Sequence, residues 1–316
     1  MASRPPLVVI GGATATGKTG LAIRLAETLA GEGLPAEIIS ADSRQVYRGM
    51  DIGTAKATAA ERARVPHHGL DLVDPDEPFT VADFVRHADR ALVGIAGRGG
   101  VAILVGGTGL YLRAVARGLD VEALPFDPAI RASLEAAFTS GGLEPLVARL
   151  RTKAPGLAEG IDLRNPRRVV RALEIAAIRG DVPLPKPRGY AGPVLWLGLR
   201  VEPTAHVQWI GQRARAQFDG GLLGEAAALR ERYDPALSAF SAIGYREAWS
   251  VLDGKATLAE AIEVDIRRNV AFAKRQRTWF RAEPEIEWLD ASAVDPTPEA
   301  LARTRSLLDR GYATGP

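Results

Sequence analysis

Leu7-Val8-Val9-Ile10-Gly11-Gly12-Ala13-Thr14-Ala15-Thr16-Gly17-Lys18-Thr19 decides the fold. Its four apolar residues predict a buried strand. Gly12-x-x-x-x-Gly17-Lys18-Thr19 predicts a phosphate-binding loop, and a helical pattern follows from Leu21 to Leu29. Glycines let backbone N–H groups turn inward around phosphate oxygens, and the positive end of the helix adds to the pull on an anion. Lys18 supplies a point charge and Thr19 a hydroxyl suited to Mg²⁺. Gly12, Ala13, Thr14, Ala15, Thr16, Gly17, Lys18 and Thr19 are thus expected to hold a polyphosphate. Which one, and what is done with it, the loop leaves open.

Working outward, near-continuous apolar runs alternate with helical patterns: 7–11, 36–41, 101–105, and much later 194–199 and 286–289. Strands of this kind between helices predict a parallel sheet covered on both faces. From about Glu122 to Gly192 only helical patterns occur, ending in Val182-Pro183-Leu184-Pro185-Lys186-Pro187. The expected fold class is α/β: a P-loop NTPase-like core with a mainly parallel β-sheet (1–121 and 193–316) and a helical insertion domain (122–192). The insertion carries 11 Lys/Arg against 8 Asp/Glu, more positive charge than the net +2 of the whole 316-residue chain. Thr80, with Asp83 three residues on, predicts a capped helix start. Leu258 to Arg281 predicts a longer helix, with Ile262, Ile266, Phe272, Ala273 and Phe280 on one side and Arg267, Lys274, Arg275, Arg277 and Arg281 largely opposite.

Composition removes several classes. The chain has no cysteine, so disulfides and thiol chemistry are excluded, and four scattered histidines argue against a structural zinc site. No apolar run approaches the roughly 18 residues of a membrane span, and no apolar segment near the start suggests export. A monomer in the cytoplasm, with no membrane partner, is the expectation.

In an open α/β sheet, ligands bind beyond the carboxyl ends of the strands. The second strand delivers Asp42-Ser43-Arg44-Gln45, so Asp42 is expected beside the phosphate loop, either as a proton acceptor or as a turn cap. The third strand ends in Gly106-Gly107-Thr108-Gly109. Nucleotide-hydrolysing loop proteins usually carry an aspartate near there to help hold Mg²⁺. Its replacement by glycines and Thr108 argues against an ATPase, although the loop motif alone would read as ATP-binding. His67 and His68, adjacent and facing opposite ways, read as structural.

Taken in order, these pieces resemble the bacterial tRNA dimethylallyltransferases. The resemblance rests on Gly12 to Thr19, Asp42 to Lys56, Pro66-His67-His68, Gly106 to Tyr111, Asn165-Pro166-Arg167-Arg168-Val169-Val170-Arg171, Ile243 to Glu247 and Ala273 to Phe280, over about residues 7–290. Departures are small: Ala13, Thr16 and Ala57 stand where the family often has Pro, Ser and Pro. Gly69 replaces a larger apolar residue, which is expected to loosen its loop.

The resemblance implies that the donor is dimethylallyl diphosphate, with Mg²⁺ as cofactor held partly through Thr19. It implies as acceptor N6 of the adenosine 3′-adjacent to the anticodon, so that the partner is the tRNA anticodon stem-loop. Asp42, Thr108 and Lys18 are the implied catalytic residues. Asp42, Ser43, Arg44, Gln45, Thr108, Arg131, Arg167, Arg168, Arg171, Gly244, Tyr245, Arg246, Lys274 and Arg275 are the implied tRNA contacts, with Arg131 also near the leaving group. An adenylate isopentenyltransferase or a P-loop small-molecule kinase would share the loop and Asp42. The basic helical insertion, useful for gripping RNA and unneeded for a free nucleotide, separates the first from the expected enzyme; the second would require ATP turnover and phosphorylation of an acceptor.

Overall fold

The computed structural model describes residues 4–313. Six strands, β1 (Leu7–Gly12), β2 (Ala36–Ser40), β3 (His67–His68), β4 (Val101–Gly106), β5 (Val194–Arg200) and β6 (Glu287–Asp290), form one sheet in the order β3-β2-β4-β1-β5-β6. Every pairing is parallel. Five strands lie where apolar runs predict them. β3 is a two-residue strand, too short to show periodicity. It carries His67 and His68, which are structural as expected: Nδ1 of His67 meets the Val65 carbonyl, and Nε2 of His68 meets buried Glu37, each at 2.7 Å.

Alternate residues of the strands build two cores. Val8, Ile10, Ile38, Ile103 and Leu197 pack with Leu21, Leu25 and Leu29 of the helix Lys18–Gly31 and with Leu307 and Leu308 near the chain's end. Leu7, Val9, Ile39, Leu104 and Trp196 face the other way, toward Phe84, Leu92, Leu112 and Phe280. Each fully buried Leu or Ile contributes about 1.5–3 kcal/mol relative to exposure, which is why these runs read as continuous apolar strands. The helix Val81–Gly97 starts at the predicted cap, with Thr80 and Asp83 bonded reciprocally.

The helical insertion forms a compact unit of its own, Gly118–Arg188, a few residues earlier at each end than the expected 122–192. The reason is local. The Arg188 N–H donates to the Gly118 carbonyl at 2.9 Å and its guanidinium pairs with Asp120, so the proline-rich exit closes this unit rather than following it. Within it, helices Pro128–Gly141, Glu144–Lys153, Pro155–Glu159 and Pro166–Arg179 surround Leu134, Leu146, Leu150, Val169 and Leu173.

In the larger unit, the loop after β2 is held from below. The Glu225 carboxylate accepts the N–H groups of Asp51, Ile52 and Gly53 at 2.7–3.0 Å, and the Tyr245 hydroxyl at 2.8 Å. The buried Lys56 ammonium donates to Asp51, to Asp71 and to the Tyr47 carbonyl. Asp51 to Lys56 is therefore a structural staple. Gly69 corrects the expectation of a loosened loop. Its φ is +84°, and a Cβ there would lie 2.5 Å from the Ser40 carbonyl oxygen. The backbone, not a missing side chain, fills the space. Gly69→Ala is expected to destabilise the protein by about 1–3 kcal/mol, measurable by denaturant unfolding. A more stable variant would restore the loose-loop reading.

Candidate active site

Strand order places the site. β4 lies between β1 and β2, so the glycine turn that leaves β4 falls between the phosphate loop and Asp42. All three emerge at carboxyl ends, where open parallel sheets bind ligands.

In the phosphate loop, Gly17 stands at the N-cap of the helix Lys18–Gly31 and offers no side-chain cap. The first-turn N–H groups are thereby left to an anion. Lys18 Nζ donates to the Ala13 carbonyl at 2.6 Å, as does Thr16 Oγ1 at 2.9 Å. Ala15 sits at φ +58°, a left-handed conformation uncommon outside glycine. The Thr14 peptide is clamped on both sides. Its N–H donates to Gln276 Oε1 at 2.8 Å, and its carbonyl accepts from His206 Nε2 at 2.8 Å. Burial holds the His206 imidazole below its usual range, so it is neutral at physiological pH. With the proton on Nε2, bare Nδ1 faces the Arg277 guanidinium at 3.5 Å.

The glycines after β4 have a steric cause. A Cβ at Gly106 would lie 2.1 Å from the Ala41 carbonyl oxygen, and one at Gly107 2.4 Å from Gln276 Nε2. Gln276 Nε2 donates to the Gly107 carbonyl at 2.9 Å. Thr108 closes this turn onto β2's exit: its N–H donates to Ala41, and its hydroxyl accepts the Ser43 N–H at 3.0 Å. Asp42 itself makes an Asx turn, Oδ1 accepting the Arg44 N–H at 2.8 Å, while Oδ2 accepts no hydrogen bond among the described residues. Asp42 is therefore a turn cap, one of its two expected readings, and that turn uses only one of its carboxylate oxygens.

The charges converge. Burial and the nearby Arg213 guanidinium lower the Lys18 ammonium to about 7, with Asp42 opposing. Arg213, on the helix Pro203–Asp219, is itself pressed below its ordinary value by burial, against the pull of Asp265 and Asp42. Among the described residues neither Lys18 nor Arg213 belongs to an ion pair. Two cations and one carboxylate thus share the mouth of the phosphate loop.

The remaining predicted residues divide. Arg44 donates to the Ser238 carbonyl and to Ser241 Oγ, each at 2.8 Å. Gln45 bonds Ser40 and the carbonyls of Thr54 and Ala55. Tyr245 is fully buried against Glu225 and Gly53, and Gly244 is buried beside it, so both serve the fold and the expectation of a direct RNA contact is corrected for them. Arg246, Lys274 and Arg275 are exposed, with Arg275 stacked over Phe272. In the helical unit, Arg131 and Arg171 both pair with Glu174, whose side chain is fully buried, and Arg171 also holds the Pro125 carbonyl at 2.7 Å. They tie that unit together, whereas Arg167 and Arg168 at the start of the helix Pro166–Arg179 are exposed and, among the described residues, in no ion pair.

The sequence reading did not single out Arg213, His206, or Gln276 as a strut. The long helix Leu258–Arg281 held the available signal. Its buried stripe is Ala261, Asp265, Asn269, Ala273, Gln276 and Phe280, whereas Phe272, expected inside, is 37% exposed. Polar residues at helical spacing among small apolar ones mark a face turned toward chemistry.

Comparison with known proteins identifies the family. The family model described as IPP transferase matches residues 45–283. A tRNA dimethylallyltransferase of Anaeromyxobacter sp. (strain K) is 47% identical over 302 residues, covering 94% of this chain and 96% of that protein. One from Roseiflexus sp. (strain RS-1) is 44% identical over 310 residues, covering 96% and 99%. Among solved structures, the tRNA isopentenylpyrophosphate transferase of Bacillus halodurans superposes with a TM-score of 0.71 at 38% identity, covering 98% of each chain. A eukaryotic dimethylallyltransferase acting on tRNA gives 0.78 at 26% identity, covering 97% of this chain and 80% of that one. By sequence over nearly its whole length and by its P-loop fold, the chain belongs to the IPP transferase family, the tRNA dimethylallyltransferases.

Proposed function

We propose that the chain transfers the dimethylallyl group of dimethylallyl diphosphate to N6 of the adenosine 3′-adjacent to the anticodon in tRNA, releasing pyrophosphate. The observation that carries this reading is the meeting of Lys18 and Arg213, two cations in no ion pair among the described residues, with Asp42. Diphosphate oxygens take the first-turn N–H groups, Lys18 and Arg213. As the C1–O bond of the donor breaks, the negative charge growing on pyrophosphate is stabilised by donors already in place. N6 forms the new bond to C1 and becomes acidic as it does so. Asp42 then accepts its proton; a carboxylate is far too weak a base to take it from the neutral amine beforehand. Thr108 acts by fixing the Asp42-Ser43 turn. Unpaired loop bases leave their stack at low cost, so the adenosine can reach this depth.

Mg²⁺ belongs to the same proposal. Among the described residues no group of three or more His, Asp or Glu could hold a metal ion. A magnesium ion here would be bound largely by the diphosphate and water, with the Thr19 hydroxyl at the helix start as protein ligand, a donor set that suits this ion. It would supply further neutralisation of the leaving group. Arg167 and Arg168 are assigned to the phosphate backbone of the anticodon stem, with Arg246, Lys274 and Arg275 as a second basic surface. Among the described residues no helix is long and apolar enough to cross a membrane; that the enzyme acts as a monomer in the cytoplasm is part of the same proposal.

Three outcomes test the reading. With Mg²⁺, label from dimethylallyl diphosphate should appear on tRNA, and Asp42→Ala should lower turnover about 10²–10⁴-fold with tRNA binding largely intact; label on AMP but never on tRNA would overturn it. Arg167→Ala with Arg168→Ala should weaken tRNA binding and flatten its salt dependence, and an unchanged salt slope would remove the helical unit's assigned role. The third outcome follows from Lys18. Its folded-state pKa of about 7 lies below the ordinary 10.5, so above pH 7 the free site is largely neutral there, while a bound diphosphate favours the charged form. Donor affinity should therefore fall as pH rises through 7, and binding at pH 8 should take up a proton. Calorimetry in buffers of different ionisation enthalpy reads this uptake, which Lys18→Arg, always charged, should abolish.

A further inference from the structure

The stripe that the helix Leu258–Arg281 turns inward holds an ionisable residue with no direct task in the proposed reaction. Asp265 is 1% exposed and Asn269, one turn on, 6%. A carboxyl group is not kept this dry without a hydrogen-bonding use. Asp265 Oδ1 accepts from Asn269 Nδ2 at 2.7 Å, and Asn269 Oδ1 accepts from Arg213 Nη2 at 3.2 Å. Asp265 and Arg213 form no ion pair; the amide stands between them.

The chemistry of the two side chains gives this chain a direction. An asparagine amide donates from one end and accepts at the other, and nothing in its shape decides which end points where. A carboxylate oxygen accepts only. Asp265 therefore draws the NH₂ group of Asn269 toward itself, through Oδ1 and, at 3.2 Å, its own backbone carbonyl, and turns the amide oxygen toward the guanidinium. Burial holds the Asp265 carboxyl up at about 6; the Asn269 bond opposes this, Glu247 adds to it, and Arg213 and Arg268 oppose it. Glu247 is occupied by Arg268 and the Gly244 N–H. If Asp265 takes a proton on Oδ2, Oδ1 still accepts, so the orientation does not require a permanent counter-ion. Arg213 thereby keeps its full positive charge for a ligand, which a direct carboxylate partner would have cancelled.

We propose that Asp265 and Asn269 are positioning residues that orient the Arg213 guanidinium toward the donor's diphosphate. Neither touches substrate. The inference rests on the assignment of Arg213 to the diphosphate, and the test separates the two.

The kcat and the KM for dimethylallyl diphosphate, at saturating tRNA, are compared in Arg213→Met, Asp265→Leu, Asn269→Leu, the double leucine variant and Asp265→Asn, with the melting temperature of each. Arg213→Met should raise the donor KM about 10–100-fold, the loss of a charged hydrogen-bonding group. Each single leucine variant should raise it about 3–10-fold, as for one neutral bond. The double variant should do no worse than the larger single effect, because both break the same chain. Asp265→Asn, whose amide oxygen still accepts from Asn269, should restore the wild-type donor KM, and the tRNA KM should not move. If Arg213→Met raises the donor KM while the leucine variants, melting as wild type, leave it unchanged, the relay is overturned and the Arg213 assignment stands. If Arg213→Met leaves it unchanged, the assignment itself fails. Should the leucine variants not fold, Asn269→Ser, too short to reach Arg213, takes their place: a raised donor KM supports the relay and an unchanged one overturns it.

Discussion

One amide sets the distance between the two loops of the site. Gln276 accepts the Thr14 N–H at one end and donates to the Gly107 carbonyl at the other. β1 and β4 are hydrogen-bonded neighbours as far as Gly11 and Gly106. Beyond those residues no ladder holds the chains, and two glycine-rich turns would otherwise be free to separate. A glutamine amide suits the position because it carries a donor and an acceptor on one rigid plane. The helix that presents it is itself fixed to the sheet. Phe280, one turn further on, is fully buried, and a Cβ on Gly11 would come within 2.5 Å of its ring. The aromatic core locks the helix, and the helix locks the loops.

The same helix explains why part of the site was legible in sequence and part was not. The strands, the phosphate loop and Asp42 announce themselves through contiguous signals: an apolar run, a glycine spacing, a carboxylate just past a strand. Arg213 and His206 carry no such signal, since their importance comes from packing against loops some 190 residues away in the chain. Along the long helix, a search for apolar residues turned Phe272 inward, whereas Asp265, Asn269 and Gln276 occupy the interior. Amphipathic reasoning assumes that the buried face is apolar, and it fails where a helix lines a polar site.

Arginine spacing misled for a related reason. Arg167 and Arg171 share a helix face, but Glu174, three residues beyond Arg171, is fully buried and takes the Arg171 and Arg131 guanidinium groups together. A buried carboxylate left without its partners would be strongly destabilising. These two half-buried arginines are therefore anchored to Glu174, whereas Arg167 and Arg168 are exposed and, among the described residues, in no ion pair. The larger unit follows the same rule: Lys56 and Tyr245 sit among the most recognisable motifs because they hold a loop with buried polar bonds. Lys18 and Arg213 stand apart from that rule. They are basic groups in no ion pair among the described residues.

The approach of the Ala41 carbonyl to Gly106 has a consequence for what this scaffold can become. A side chain there would have its first carbon 2.1 Å from a backbone oxygen. Placing at Gly106 the aspartate that nucleotide-hydrolysing loop proteins carry near this strand end would therefore take more than one substitution. The exits of two strands would have to part first, dragging Thr108 and the Asp42 turn with them. The phosphate loop is an interchangeable part shared across chemistries, but its neighbouring strands have closed ranks around one of them. The loop suits many chemistries, whereas the tight approach of Ala41 to Gly106 narrows what can stand beside it.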